Sequence, residues 1–204
     1  MLVLVTGGAA SGKSQWAEEI SCFLNKGKMA YWATMNPEAD EETLQRIEKH
    51  KKMRAGKGFE TLEIPYDLKE QGGKLALYDT VLLECLSNLI ANEMFLAGRK
   101  GLEAVKVATS FIKKLSSEVS NLIVVSTVLL GGFAPYDEFT EEYIEALNLA
   151  NTELATGADV VLEIVCSIPI IHKGKEKIDE NLSPLFFNSF FNVFETSYAP
   201  NTLG

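Results

Sequence analysis

The stretch GGAASGKS, Gly7 to Ser14, has the spacing G-x-x-x-x-G-K-[ST] and lies between a short apolar run and a helical pattern. Such a stretch cradles phosphates. Gly7, Gly8, Ala9, Ala10, Ser11 and Gly12 let backbone N–H groups close on an anion, with the start of the next helix behind them. Lys13 adds a point charge, and Ser14 offers its hydroxyl to Mg²⁺. The spacing predicts a nucleoside triphosphate site. A site of this kind also needs a carboxylate at the end of a neighbouring strand. Glu84, the lone acid of the apolar run TVLLECL, fits that role, and a solvated strand-end acid is the alternative. Glu63, in FETLEIP, could accept two N–H bonds from the edge of guanine, which adenine cannot offer.

A second group gathers around one of the two histidines. RIEKHKKMR, residues 46–54, sets five cations and one carboxylate around His50 in a chain whose formal charge is -9. On a helix Arg46, His50 and Arg54 recur every four residues and share a face, with Lys51 and Lys52 beside it. Leu44 and Ile47 are expected on the opposite face, against the body of the protein. The nearby cations should disfavour a further positive charge and keep the His50 imidazole neutral, hence nucleophilic. They would also stabilise charge developing at an attacked phosphorus. The residues alone leave three readings open: a solvated basic helix, a passive phosphate patch, and a histidine that forms a covalent phosphoramidate. His172, at the end of an apolar strand, lacks that setting and reads as structural.

The elements that must position these groups alternate. LVLVTG, KMAYWAT (28–34), FETLEIP (59–65), TVLLECL (80–86) and LIVVSTVL (122–129) read as strands. Helical patterns follow Lys13, span the segment from Asp40 to Arg54, and recur over 87–98, 102–117 and 138–156. ADVVLEIVCSIPIIHKG reads as a strand interrupted at Pro169, with a hairpin return. Buried strands alternating with helices argue for a mainly parallel sheet flanked by helices. The chain divides into a catalytic domain, 1–174, and a tail, 175–204. LFFNSFFNVF in that tail holds five of the eleven phenylalanines, for docking on its own core, for a subunit contact or for a wall of a ligand pocket.

Composition bounds the function. With 204 residues the chain suits one domain with a proper core. A pI near 4.8 argues against nucleic acid as a partner. Cys22, Cys85 and Cys166 have no CxxC spacing, which fits neither a disulfide framework nor a metal cluster but suits a reducing cytoplasm. No apolar stretch reaches the ~20 residues of a membrane span, and the start lacks a basic leader.

VTGGAASGKS, YWAT, RIEKHKKMR, FETLEIP and VLLECLSNLIAN follow one another in the order and spacing of a known family. The chain resembles the bifunctional adenosylcobinamide kinase / adenosylcobinamide-phosphate guanylyltransferases of cobalamin biosynthesis, over about residues 1–173. The resemblance implies a RecA-like P-loop NTPase fold and a homotrimer. It implies phosphorylation of adenosylcobinamide, then transfer of GMP from GTP through a guanylylated histidine, giving adenosylcobinamide-GDP. His50 and Lys13 would be catalytic. Nucleotide contacts (GTP and ATP) would come from Gly7 to Ser14, from Ala33, Thr34 and Met35, from Lys51, Lys52, Met53 and Arg54, and from Glu63 and Glu84. Ser14 and Glu84 would hold Mg²⁺. The chain departs from the family pattern at Ala10, where the family has Arg, at TVLLGG from Thr127, and at IEALNLANT, which keeps Asn151. Those departures leave two further readings, a divergent small-molecule kinase and a nucleotide-binding interaction protein.

Overall fold

The computed structural model describes residues 1–35, 41–129 and 136–186. The elements are β1 (Leu2–Gly7), α1 (Lys13–Leu24), β2 (Met29–Ala33), α2 (Glu41–Arg54), β3 (Phe59–Glu63) and the short α3 (Leu68–Gln71). Then come β4 (Thr80–Glu84), α4 (Leu86–Phe95), α5 (Gly101–Glu118), β5 (Asn121–Val125), α6 (Glu138–Gly157), β6 (Val160–Val165), β7 (Ile168–Lys173) and α7 (Lys175–Asn181). One seven-stranded sheet runs β3-β2-β4-β5-β1-β6-β7. Every pairing is parallel except that of β6 with β7, which form a hairpin.

The apolar strands are buried on both faces, as helices on either side require. Leu2, Leu4, Trp32, Leu83 and Val124 turn to one face, under α4, α5 and α6. Val3, Val5, Tyr31, Leu82 and Ile123 turn to the other, under Trp16, Ala17 and Ile20 of α1 and Ile178 of α7. A fully buried aliphatic side chain contributes about 1.5–3 kcal/mol.

The parallel register lines up the ends of the strands. Ala33 pairs with Glu63 on one side and Glu84 on the other. Glu84 pairs with Val125, and Gly7 with Ile164. Strand β5 separates β1, which feeds the glycine turn, from β4, which carries Glu84. The sheet is thus the mainly parallel, helix-flanked P-loop architecture that the sequence predicts.

One strand boundary changes. The strand predicted over 122–129 ends at Val125, because the chain leaves the sheet once Ser126 N–H has reached the Val5 carbonyl (2.9 Å). The segment after 174 opens with a helix, α7, whose Ile178 is buried and is followed by the buried Leu182. Phe186 reaches Trp16, ring centroids 5.2 Å apart. Asp40, residues 130–135 and the Phe-rich residues 187–194 lie outside the described residues, as does the side chain of Arg46. Among the described residues no helix is long and apolar enough to cross a membrane.

Candidate active site

The glycine turn sits where β1 gives way to α1. Gly7 has φ +152°, and a Cβ there would lie 2.6 Å from both the Ile164 carbonyl oxygen and Ser11 Oγ. Gly12 caps α1 in the left-handed region (φ +93°), where a Cβ would press on Ser167 Oγ at 2.9 Å. Ala10 is also left-handed (φ +55°). Gly8, Ala9 and Ala10 are exposed and Ser11 is buried. The first N–H groups of α1, with no carbonyl of their own helix to bond, form an anion-binding terminus. Lys13 Nζ donates to the Gly8 carbonyl (3.0 Å) and so lies across the mouth of the turn.

Three braces hold this loop, and the sequence did not reveal them. Cys166 and Ser167 both take positive φ in the β6–β7 turn, the twist that suits a two-residue hairpin. Ser167 N–H then donates to the Ser11 carbonyl (2.8 Å), and Trp16 Nε1 donates to the Ser167 carbonyl (3.0 Å). Thr127 Oγ1 donates to the Gly7 carbonyl (3.1 Å). Asn151 sits behind it, accepting from Ser126 Oγ (2.6 Å) and donating to the Thr127 carbonyl (3.0 Å). These contacts use backbone carbonyls and carry no sequence pattern. Asn151 and Thr127, both marked in the sequence, were the signals that pointed here.

Glu84 joins the loop to the rest of the site. Its Oε1 accepts from Ser14 Oγ (2.9 Å), and its Oε2 is buried without a partner among the described residues. Burial pushes the carboxyl up to about 7, and the Ser14 hydroxyl and the Lys13 charge offset this only in part. An orphaned carboxylate oxygen beside a hydroxyl is a donor set that suits a hard divalent cation. No group of three or more potential metal-ligating side chains occurs among the described residues.

From Glu84 a narrow cavity of ≈ 20 Å³ opens toward α2. Tyr31, Ala33, Met35, Ile47, His50, Lys51, Arg54, Thr61, Glu63 and Glu84 line it. Arg54 is buried, with its guanidinium 4.0 Å above the centre of the Tyr31 ring and Nη2 donating to Thr61 Oγ1 (3.2 Å). Burial, followed by the nearby Glu84 charge, holds the Tyr31 phenol far above its usual range. Lys51 pairs with Glu48 (3.4 Å). Lys51, Thr61 and Glu63 also line a neighbouring open groove of ≈ 340 Å³, together with Lys74.

The expected site residues therefore divide. Ala33, Met35, His50, Lys51, Arg54, Glu63 and Glu84 meet in one cavity, which reaches the phosphate loop through Ser14. Thr34 lies behind it, buried, its hydroxyl accepting from Cys85 N–H (2.7 Å) and donating to the Cys85 carbonyl (2.9 Å). Lys52 is exposed and Met53 half-buried, and neither lines the cavity. The expected helix orientation needs correction. Leu44 is exposed (45%), and Ile47 lines the same cavity as His50, because residues three apart share a helix face. His172 is exposed and meets Glu163 Oε2 at 2.8 Å, away from this cavity.

A family model described as cobinamide kinase / cobinamide phosphate guanyltransferase matches residues 3–171. The chain belongs to that family. Two curated relatives carry the name bifunctional adenosylcobalamin biosynthesis protein CobU. The one from Salmonella typhimurium is 27% identical over 182 residues, 83% of this chain and 98% of the relative. The one from Escherichia coli is 28% identical over 182 residues, with the same coverage of 83% and 98%. Among solved structures, an ATPase domain superposes with a TM-score of 0.47 at 10% identity, over 79% of this chain and 68% of that one. The fold assignment rests instead on the strand order and phosphate loop of this chain. Membership makes the chain a cobinamide kinase / cobinamide phosphate guanylyltransferase of cobalamin biosynthesis. It favours that enzyme over the plain small-molecule kinase and the interaction protein.

Proposed function

We propose that both family reactions run on the residues assembled here, with His50 as the nucleophile of the second. One observation carries this reading: His50 and Glu84 line the same cavity, and Glu84 is hydrogen-bonded to Ser14 of the phosphate loop. In the kinase step the phosphate loop and Lys13 hold a nucleoside triphosphate, ATP or GTP. The aminopropanol hydroxyl of adenosylcobinamide attacks the γ-phosphorus. The bond to the β-phosphate oxygen breaks, and the hydroxyl proton is released to solvent. Mg²⁺ bound by Ser14 and Glu84 would supply charge neutralisation on the phosphates.

In the guanylyl step the unprotonated ring nitrogen of His50 attacks the α-phosphorus of GTP. A P–N bond forms as the bond to pyrophosphate breaks, and pyrophosphate leaves with the electron pair. A phosphate oxygen of adenosylcobinamide phosphate then attacks the same phosphorus. The P–N bond breaks toward the imidazole, and adenosylcobinamide-GDP is released. Lys51 and Arg54 disperse charge at that phosphorus, and Glu63 recognises the guanine edge. The neighbouring groove shares Lys51, Thr61 and Glu63 with this cavity and offers the room for the nucleoside.

Residues 1–174 serve as the catalytic domain, and the Phe-rich tail as a docking or subunit contact. A cytoplasmic homotrimer completes the reading. The experiment is a product analysis with adenosylcobinamide, ATP, GTP and Mg²⁺. The His50→Asn variant should stop at adenosylcobinamide phosphate, and Lys13→Ala should make neither product. Formation of adenosylcobinamide-GDP by His50→Asn would reject His50 as the nucleophile.

A further inference from the structure

Among the described residues α2 makes few close approaches to any other helix or strand. Specific contacts hold its C-terminal end. Arg54 stacks on Tyr31, and Lys57 follows in a turn fixed by Lys57 N–H to the Arg54 carbonyl (3.1 Å) and Ala55 N–H to the Lys52 carbonyl (3.3 Å). Lys57 Nζ reaches Glu18 Oε2 of α1 at 2.6 Å. Glu18 is 1% exposed, and its Oε1 has no partner among the described residues.

Both members of that pair stand at telling positions. Glu18 lies four residues after Ser14, one turn along the same face of the helix that starts at the phosphate loop. Lys57 is three residues beyond Arg54, which is one turn past His50. The ion pair thus spans from the helix of the phosphate loop to the end of the helix of the histidine. A buried carboxylate with one orphaned oxygen is a poor way to gain stability, since apolar residues of similar volume commonly do as well or better.

We propose that Glu18 and Lys57 are positioning residues for guanylylation: their ion pair fixes the end of α2 to α1 and so sets the approach of His50 to the phosphate loop. The inference rests on the reading of His50 as the nucleophile. The kinase step draws on the phosphate loop, Ser14 and Glu84, none of which lies on α2.

The test uses the full chain and the variants Lys57→Met, Lys57→Arg and the double Glu18→Met/Lys57→Met, which replaces the pair by apolar side chains. Three quantities are read for each: single-turnover guanylylation from α-labelled GTP, kinase turnover with adenosylcobinamide, and amide exchange over 46–54. Lys57→Met and the double variant should label about tenfold more slowly or worse, since small misplacements of a reacting group cost that much. Kinase turnover should stay unchanged, exchange over 46–54 should speed up, and Lys57→Arg should recover most of the labelling rate. Labelling at the wild-type rate in the double variant overturns the proposal, and so does a parallel fall of both activities with melting temperature. If wild type takes no label while Lys57→Met still speeds exchange over 46–54, the His50 reading fails and the anchoring stands.

Discussion

At the scale of the residue, Glu84 concentrates the physics of the site. Its carboxyl is pushed from an ordinary 4.5 up to about 7 by burial, with the Ser14 hydroxyl and Lys13 pulling weakly the other way. A raised acid favours the protonated form in the folded state. Its contribution to stability is therefore complete below the unfolded value and is lost as pH rises through about 7. Glu84→Gln keeps the shape and removes the titration. Without added Mg²⁺, the stability of wild type relative to Glu84→Gln should drop by about 3 kcal/mol between roughly pH 4 and pH 8. Paired denaturant titrations at the two pH values would measure it, and a difference that does not change with pH would contradict the assignment. The same burial explains the fit to a cation: a carboxylate held dry with one free oxygen gains more from a divalent ion than a solvated one.

At the scale of the element, some of the site was legible in the sequence and some was not, for identifiable reasons. Gly7 to Ser14 could be read because the turn needs particular backbone freedom and particular side chains at fixed spacing. Glu84 could be read because an acid ending an apolar strand is costly without a purpose. The face of α2 was misjudged at Ile47, since apolar residues on a thinly packed helix can line a polar cleft as well as a core. The overlong β5 has a similar origin, as hydrophobicity continues past Val125 while register partners do not. The Ser167, Trp16 and Thr127 braces depend on backbone atoms brought together by the fold and leave no trace in residue order. Helix α7 was hidden within a segment marked by its phenylalanines. Leu182, at its end, is fully buried against the α1 face of the sheet. Leu182→Ala should lose about 2–4 kcal/mol, enough to lower the melting temperature by roughly 4–16 °C. An unchanged melting curve would mean that α7 is not part of the working core.

At the scale of the whole molecule, an acidic protein handles highly anionic substrates by keeping its cations local. The chain carries 28 acids against 19 Lys and Arg. Yet Lys13, Lys51 and Arg54 stand on one end of the sheet, where the parallel register collects Gly7, Ala33, Glu63 and Glu84. Parallel strands place all their C-terminal ends on one side, so one edge can serve two phosphoryl chemistries. Strands β1 and β4 and helix α1 meet at the phosphate loop and are joined there by its braces and the Ser14–Glu84 bond. Helix α2, which carries His50, is tied at its end by Arg54 and Lys57. On the proposed reading, this arrangement would hold the triphosphate at the loop and bring His50 to it in only the second of the two reactions.

The most direct test of this account is to incubate the protein with α-labelled GTP and Mg²⁺ and to map the label by peptide. Label that is acid-labile, base-stable and confined to the peptide carrying His50 is the predicted result. Label on any other residue, or none on a protein that still makes adenosylcobinamide-GDP, would contradict it.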